Sequence, residues 1–335
     1  MVPSESGAAE EWDARLLEWP AANLLQSYAW GEVQSRAGWT TERLEVSTSA
    51  GLLPVSALVG GAGVPGFSRI YLPRGPGCAA SDVDAFEMVT KALVDLGRDR
   101  RALALEVEVA WAADQVPEGH PWRSWRPARA RQPIATVVVD LQPEPEAILA
   151  GFHSKARYNV RLAERRGVVI NEEATVQDLS ACIEATEERQ RIHLPSLAHL
   201  QVMVQQLGRS ARILAAQVEG EVVAAILVAS FGGEAIYLYG GSSGRHRERM
   251  PNHLLQWRAM LRARAEGCHH YDLWGIPENQ DPRHPWRGLV QFKLGFGGAE
   301  VRYAGSRLLQ LRPAGATILA VADGARRKVR TRGRR

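Results

Sequence analysis

The stretch from Tyr237 to Gly305 constrains the fold of this chain more than any other. An apolar segment ends at Gly240-Gly241, a polar loop follows, and Pro251 begins a helix. Proline is tolerated there because the first helical turn has no partner for its N–H group. Apolar residues recur on one face of this helix, and a second apolar segment follows at Tyr271–Trp274. This order predicts a strand, a helix and a second strand that form one supersecondary unit.

The polar loop before Pro251 is a candidate site for an anionic group. Free N–H groups and the helix dipole converge where a strand, a polar turn and a helix N-terminus meet. The spacing resembles the GNAT acyltransferase fold, in which small residues of this loop let the backbone approach the phosphates of coenzyme A. Arg247, Met250 and Asn252 occupy the loop here. We therefore expect coenzyme A to be a poor ligand.

Five segments, taken in order, resemble the FemABX family of peptidyltransferases, which move an amino acid from aminoacyl-tRNA to a peptidoglycan precursor. The resemblance covers most of the chain between Leu24 and about Leu311. It implies an α/β (α+β) fold with two GNAT-like domains in tandem, whose mixed sheets are flanked by helices. The compact FemX-like layout fits, since no coiled-coil arm interrupts the second half. The segments are Leu24–Trp39, Tyr71–Pro76, Ala156–Val168, Tyr237–Gly305 and Phe292–Gly298.

The domain boundaries follow from the length and from one proline-rich break. The 335 residues suffice for two domains of ordinary size. Pro143-Glu144-Pro145 follows a β-branched strand and is the candidate boundary. We predict a first GNAT-like domain over residues 1–142, completed by a C-terminal helix at 312–330, and a second over residues 143–311. A basic tail occupies residues 326–335.

Composition excludes several classes of protein. No apolar run approaches the roughly 18 residues of a membrane span, and the N-terminus lacks the pattern of a signal peptide, so we expect a cytoplasmic protein. Its three cysteines, Cys78, Cys182 and Cys268, are too widely spaced for a metal or redox motif. We expect a monomer that holds no metal and no cofactor. The resemblance implies aminoacyl-tRNA as the co-substrate.

The chemistry implied by the resemblance needs few catalytic groups. Aminoacyl transfer to an amine requires positioning, a stabilised oxyanion and a leaving ribose oxygen, and it needs neither a metal nor an enzyme nucleophile. We predict that Lys293 supplies the catalytic charge and that Phe292 stacks on the terminal adenine of tRNA. The resemblance supports this, because the family's Phe-Lys pair lies at the tRNA end of the site. The alternative is a surface lysine beside a packed phenylalanine.

A basic helix is predicted at His153–Arg166, and such a face suits contact with phosphate. Lys155 and Arg157 are its candidates for binding tRNA. The resemblance also implies an arginine that binds precursor phosphate, which is either Arg189 or Arg191. The remaining candidates for substrate binding are Arg74, Tyr239 and Trp30.

The acceptor remains open between two forms of the precursor. Gln34 stands where compact family members carry a precursor-binding lysine. This puts the soluble UDP-MurNAc-pentapeptide in doubt and leaves the lipid-linked form, lipid II, open. On either acceptor the resemblance implies transfer to the stem peptide, which builds interpeptide bridges of the cell wall.

Two other functions are compatible with parts of the sequence. The chain could be a GNAT-like N-acyltransferase with another donor or a polysaccharide-related acceptor. It could also be a non-catalytic RNA-binding protein that uses the basic helix and the tail, although such a protein would not need the polar, glycine-rich stretch around Gly240. The aminoacyltransferase is the hypothesis that accounts for most segments.

The tail yields the first prediction. Residues 326–335 hold seven basic residues and no acidic one, so that the rest of the chain has 34 basic against 37 acidic residues. The tail is either a solvated, disordered end or an arm that binds phosphate groups. Such an arm would bind tRNA or the anionic lipids at the inner face of the membrane. If it is an arm, deleting Arg326–Arg335 should flatten the salt dependence of binding to tRNA or to anionic vesicles. An unchanged slope with both ligands would identify a solvated end.

Overall fold

The computed structural model describes residues 5–190, 194–277, 286–313 and 317. The chain divides into two compact units. The first unit consists of Met1–Gln132 with Tyr303–Arg335, and the second consists of Pro133–Arg302. Each unit is built on one mixed β-sheet with helices packed against it, as the sequence predicted.

The helices and strands have the following bounds in the described ranges. The helices are α1 (Glu5–Leu17), α2 (Tyr28–Arg36), α3 (Val83–Asp99), α4 (Pro145–Gly151), α5 (Ser154–Arg165), α6 (Val176–Gln190), α7 (Leu197–Leu207), α8 (Pro251–Ala265) and α9 (Arg287–Leu294). The strands are β1 (Thr40–Thr48), β2 (Gly51–Gly61), β3 (Ser68–Pro73), β4 (Ala102–Glu108), β5 (Arg126–Ala128), β6 (Ala135–Asp140), β7 (Val169–Asn171), β8 (Ala211–Val218), β9 (Glu221–Phe231), β10 (Glu234–Ser242), β11 (His270–Asp272), β12 (Ala299–Arg302) and β13 (Ser306–Gln310).

The first unit has a six-stranded sheet in the order β1-β2-β3-β4-β13-β5. Its neighbouring strands are antiparallel except β3 and β4, which are parallel and are joined through α3. Helix α3 begins where the Asp82 carboxylate accepts the Ala85 N–H at 3.0 Å, and it buries Phe86, Val89 and Leu93 in the core. Because β3 and β4 are parallel, the loops that follow them lie at the same end of the sheet.

The second unit has a seven-stranded sheet in the order β12-β6-β11-β10-β9-β8-β7. Again one pair is parallel, β10 with β11, and a helix joins it, here α8. Pro251 is the first residue of α8, and Leu254 and Trp257 pack into the core of this unit. The strand, helix and strand predicted around Gly240 are therefore confirmed.

The two units repeat one topology. The order of three antiparallel strands, a crossover helix and a parallel fourth strand occurs as β1-β2-β3-α3-β4 and again as β8-β9-β10-α8-β11. Within the described residues the longest helix is the 17-residue α3, so this part of the chain contains no coiled-coil arm. None of the described helices is long and apolar enough to cross a bilayer.

The unit boundaries differ from the predicted ones because two strands pair with the sheet of the other unit from the one predicted. The sequence analysis placed residues 134–141 in the first domain, but β6 pairs with β11 and β12 of the second unit. It placed residues 306–310 in the second domain, but β13 pairs with β4 and β5 of the first. The predicted helix at 312–330 and the tail at 326–335 fall, apart from residues 312, 313 and 317, outside the described residues.

Gly241 sets the distance between β10 and α6. A Cβ atom at this position would lie 2.2 Å from the carbonyl oxygen of Cys182 and 2.6 Å from the amide nitrogen of Ile183, both in the backbone of α6. No side-chain rotation can relieve such a contact, since the opposing atoms belong to the backbone. The helix can therefore lie on this strand only if residue 241 is glycine.

We predict that Gly241→Ala lowers the free energy of unfolding by about 3 kcal/mol, because the added methyl group forces α6 away from β10. Gly151→Ala is the matched control, since a Cβ at Gly151 meets nothing within 4 Å. The control should shift the same free energy by less than about 1 kcal/mol. Urea denaturation of the two variants tests this, and equal losses in both would contradict the close contact.

Candidate active site

The parallel strands β10 and β11 are paired over a short stretch and then diverge. Three residue pairs join them, from Glu234 with His270 to Ile236 with Asp272. Beyond Ile236, β10 continues to Ser242 along β9. The chain after β11 stays with β6, since the N–H of Leu273 donates to the Val137 carbonyl at 2.9 Å. The two strands therefore diverge at their carboxyl ends, where ligands of open α/β sheets bind.

Lys293 extends its side chain from α9 to the backbone that follows β11. Its Nζ donates to the carbonyl oxygens of Trp274 at 3.1 Å and Gly275 at 2.8 Å, and it lies 5.7 Å from the centre of the Tyr237 ring. The side chain is 4% exposed. Lys293 is therefore a buried amine at the divergence of β10 and β11, and the alternative of a surface lysine is wrong.

Burial changes the acidity of this amine. Loss of solvation lowers the pKa of Lys293 from 10.5 to about 8, and the negative charge of Asp272 opposes part of that change. The Asp272 carboxylate itself accepts hydrogen bonds from the Thr136 hydroxyl and from the N–H of Trp274. A pKa near 8 means that Lys293 can carry its charge at neutral pH and can exchange its proton with modest free-energy cost.

Tyr237 is a site residue that the sequence reasoning missed. Desolvation raises its pKa to about 12, so the phenol stays protonated. A Cβ at Gly240 would lie 2.4 Å from the Tyr237 hydroxyl, so the ring packs over this glycine. A register shift in the pairing of β10 with β9 falls between Tyr237 and Tyr239. The sequence signal was the Tyr-Leu-Tyr-Gly-Gly run, from which the sequence analysis selected Tyr239 but not Tyr237.

Phe292 precedes Lys293 in α9, and its ring packs against His253. The Phe292 ring is half-buried and stands 5.1 Å from His253 and 5.1 Å from Phe296, edge to face in both cases. Burial, with a smaller effect of Lys155, lowers the pKa of His253 to about 4, so this ring is neutral. The amide of Asn159 lies 3.2 Å from His253 Nε2. Stacking of Phe292 on a nucleobase stays a prediction.

The other candidates in the second unit occupy different positions. Lys155 is exposed near the start of α5, whereas Arg157 donates to the carbonyl oxygens of Ala150 and Phe152 and so fastens the end of α4. Arg189 donates to the Ser242 carbonyl at 2.9 Å. Tyr239 is half-buried in β10, and burial raises its pKa. Arg191 lies outside the described residues.

Arg74 and Trp30 belong to the first unit. Arg74 is 2% exposed, donates to the Val109 carbonyl at 3.3 Å, and places its guanidinium 3.6 Å from the centre of the Tyr303 ring. These contacts account for its burial within the unit. Trp30 contributes to a small cavity of about 120 Å³ that is lined by Trp30, Gln34, Trp39, Leu58, Tyr71, Pro73, Arg131 and Gln132.

The carboxylate of Glu108 organises one wall of this cavity. Glu108 is fully buried and accepts hydrogen bonds from the Tyr71 hydroxyl at 2.7 Å and from the backbone N–H groups of Arg131 and Gln132. Burial raises its pKa although these donors oppose the change. The Arg131 guanidinium pairs with Glu106 at 3.0 Å. Glu108 therefore holds the segment 131–132 against the ends of β3 and β4.

The described residues offer no alternative catalytic centre of two common kinds. Among them no group of three or more histidine, cysteine, aspartate or glutamate side chains could hold a metal ion. The thiols of Cys78 and Cys182 are buried, and burial raises their pKa values to about 12 and about 11. Thiols with such pKa values are poor nucleophiles at neutral pH.

Solved structures share this fold across nearly the whole chain. The crystal structure of FemX matches with a TM-score of 0.83 at 18% identity, covering 95% of this chain and 99% of that chain. A tandem GNAT protein from the clavulanic acid biosynthesis pathway matches with a TM-score of 0.50 at 14% identity, covering 91% and 96%. The predicted fold of two GNAT-like domains in tandem is thereby confirmed.

Sequence comparisons give the family. A lipid II:glycine glycyltransferase of Staphylococcus saprophyticus is 22% identical over 364 aligned positions, covering 85% of this chain and 87% of the relative. The enzyme of the same name from Staphylococcus haemolyticus is also 22% identical. These relatives confirm the prediction of a transferase. The sequence profile of the FemAB family matches residues 8–121, 126–221 and 219–323, and this chain belongs to the FemAB family.

Proposed function

We propose that this protein transfers an amino acid from aminoacyl-tRNA to an amine on the stem peptide of a peptidoglycan precursor. Its relatives are named as glycyltransferases that act on lipid II, which supports this class of acceptor. The observation that carries the proposal is the buried amine of Lys293 where β10 and β11 diverge. A cation held at this position suits stabilisation of charge in acyl transfer.

The reaction exchanges an ester for an amide. The neutral acceptor amine attacks the carbonyl carbon of the aminoacyl ester, and a tetrahedral oxyanion forms. When it collapses, the C–N bond remains, the C–O bond to the ribose breaks, and the proton lost by the amine ends on the ribose oxygen. No metal or covalent enzyme intermediate is needed to balance these steps, and the rate depends on positioning and on charge stabilisation.

Lys293 fits the role of a charge stabiliser. Two of its three N–H donors are used by Trp274 and Gly275 within the described part of the chain, which fixes the direction of the third. The low polarity of a buried site strengthens the interaction of this ammonium with an oxyanion or with the leaving ribose oxygen. Because Lys293 is held by backbone carbonyls, it is already positioned before the substrate arrives.

The loop before α8 supports tRNA over coenzyme A as the donor. Met250 has a left-handed backbone with φ at 57°, and its side chain packs against the core of the second unit. Arg249 pairs with Glu219 at 2.5 Å, and the guanidinium of Arg166 donates to the Glu248 carbonyl at 2.6 Å. The loop is thus held by side chains where a coenzyme A site would expose small residues to phosphate.

The decisive experiment offers the protein a mixture of charged tRNAs together with lipid II or UDP-MurNAc-pentapeptide. Mass spectrometry of the muropeptide should show a gain of one amino-acid residue, and the mass identifies that amino acid. The parallel reaction with acetyl-CoA and no tRNA should leave the muropeptide unchanged. An acetyl gain, or no gain with any charged tRNA, would contradict the proposal.

We predict that Lys293→Met lowers kcat by about two orders of magnitude or more, as expected for loss of one charge-stabilising donor. The melting temperature should move little, because two effects oppose each other. Removing the buried charge relieves about 3 kcal/mol, from the fall of its pKa from 10.5 to about 8. Leaving the carbonyls of Trp274 and Gly275 without a donor costs a similar amount, about 1–3 kcal/mol each.

The pH dependence gives a second measurement of the same prediction. The ammonium of Lys293 is lost from the free protein as pH rises through about 8, so wild-type kcat/KM for charged tRNA should fall above that pH. The residual activity of Lys293→Met should lack this descending limb. Normal turnover of the variant would show that Lys293 takes no part in the reaction, and loss of its folded state would assign the residue a structural role.

A further inference from the structure

Helix α5 presents a row of cations and one tyrosine to solvent. Ala156, Val160 and Ala163 face the core of the second unit, and helix α8 packs against α5. The outward side carries residues at a spacing of three to four, which places them along one face of the helix. These exposed residues, called the α5 surface below, are Lys155, Tyr158, Arg161 and Arg165.

The cations of the α5 surface differ from other arginines of this unit in their partners. Seven arginines of the second unit lie within ion-pair distance of a carboxylate: Arg212, Arg245, Arg249, Arg258, Arg262, Arg264 and Arg302. Among the described residues no carboxylate lies at that distance from Lys155, Arg161 or Arg165. Arg161 and Arg165 are moreover four residues apart, a spacing at which like charges destabilise a helix. The helix dipole favours Arg165 in the last turn, but it does not account for Lys155 in the first turn.

Tyr158 indicates the chemical class of the partner. Its side chain is 57% exposed, and the Arg165 guanidinium lies 5.9 Å from the ring centre. An exposed ring between cations can stack on a base while the cations contact phosphates. A surface that inserts into a membrane needs several large apolar side chains, and the α5 surface has only this aromatic ring. These properties favour RNA over a lipid surface.

The position of α5 connects this surface to Lys293. The N–H of His153, just before α5, donates to the Gly295 carbonyl at the end of α9 at 2.9 Å. Lys155 lies near His253, whose ring stands 5.1 Å from Phe292. From Lys155 to Arg165 the helix rises about 15 Å, and a nucleic-acid duplex carries roughly one charge per 2 Å of its axis. The surface thus spans several phosphates and starts beside α9.

We propose that the α5 surface binds the sugar–phosphate backbone of an RNA whose 3′ end reaches Lys293. The inference rests on the proposed function for the identity of this RNA as the tRNA donor. It adds Arg161 and Arg165 as phosphate contacts to the predicted Lys155 and Arg157, and Arg157 also donates through Nη1 to the carbonyl oxygens of Ala150 and Phe152. Tyr158 adds a base or ribose contact. The contacts to phosphate carry no sequence information and serve to position the acceptor arm.

The test measures binding of deacylated tRNA as a function of salt concentration, with no catalysis involved. The variant K155Q/R161Q/R165Q removes three cations, and its matched control K91Q/R126Q/R209Q removes three exposed cations elsewhere. We expect the first variant to raise Kd by about tenfold or more at 0.1 M salt and to lower the magnitude of the slope of log K against log salt by about 3. The control should bind as wild type does.

Several results would overturn the inference. They are an unchanged slope in the first variant, equal losses in both variants, and loss of binding to anionic vesicles without loss of binding to tRNA. Transfer assays distinguish failure of the α5 surface from failure of the proposed function. The K155Q/R161Q/R165Q variant should show a raised KM for charged tRNA and an unchanged kcat. Transfer by wild type with an unchanged KM in that variant would leave the function standing and refute the surface.

Discussion

The divergence of two parallel strands is the constraint on which the site of the second unit depends. Strands β10 and β11 share only three residue pairs, and the chain beyond each one follows a different neighbour. The backbone carbonyls after β11 are consequently left for a side chain, and Lys293 donates to two of them. Without this divergence the carbonyls would pair within the sheet, and the amine would have no buried position to occupy.

The first unit has a different arrangement at the carboxyl ends of its own parallel strands. Its parallel strands β3 and β4 stay paired as far as Pro73 and Glu108. The buried carboxylate of Glu108 there accepts hydrogen bonds from Tyr71, Arg131 and Gln132, so the ends of the strands are closed by a satisfied polar network. A repeated topology thus carries a buried amine in the second unit and a closed polar network in the first, and we assign the proposed chemistry to the second unit.

The cations of the second unit fall into two groups, those paired with carboxylates and those without a carboxylate at ion-pair distance among the described residues. Exposed arginines near α8 are neutralised by carboxylates such as Glu172 and Glu266, whereas α5 keeps its cations unpaired among the described residues. The site itself relies on a single amine whose pKa burial brings to about 8. Under the proposed function, a polyanionic donor meets the positive α5 surface first and the buried amine of Lys293 afterwards, where low polarity strengthens the effect of one charge.

The sequence by itself determined the order of elements around Gly240, because hydrophobic periodicity and turn residues act locally. The family and the tandem fold followed from the resemblance of its five segments to a known family. The sequence also singled out Lys293. Only the tertiary structure decided that β6 belongs to the second unit and β13 to the first. The sequence of either strand is compatible with either sheet, and strand pairing makes the choice. Tertiary packing likewise decided that Tyr237 borders the site and that Lys293 is buried, because these properties depend on atoms brought together from distant segments.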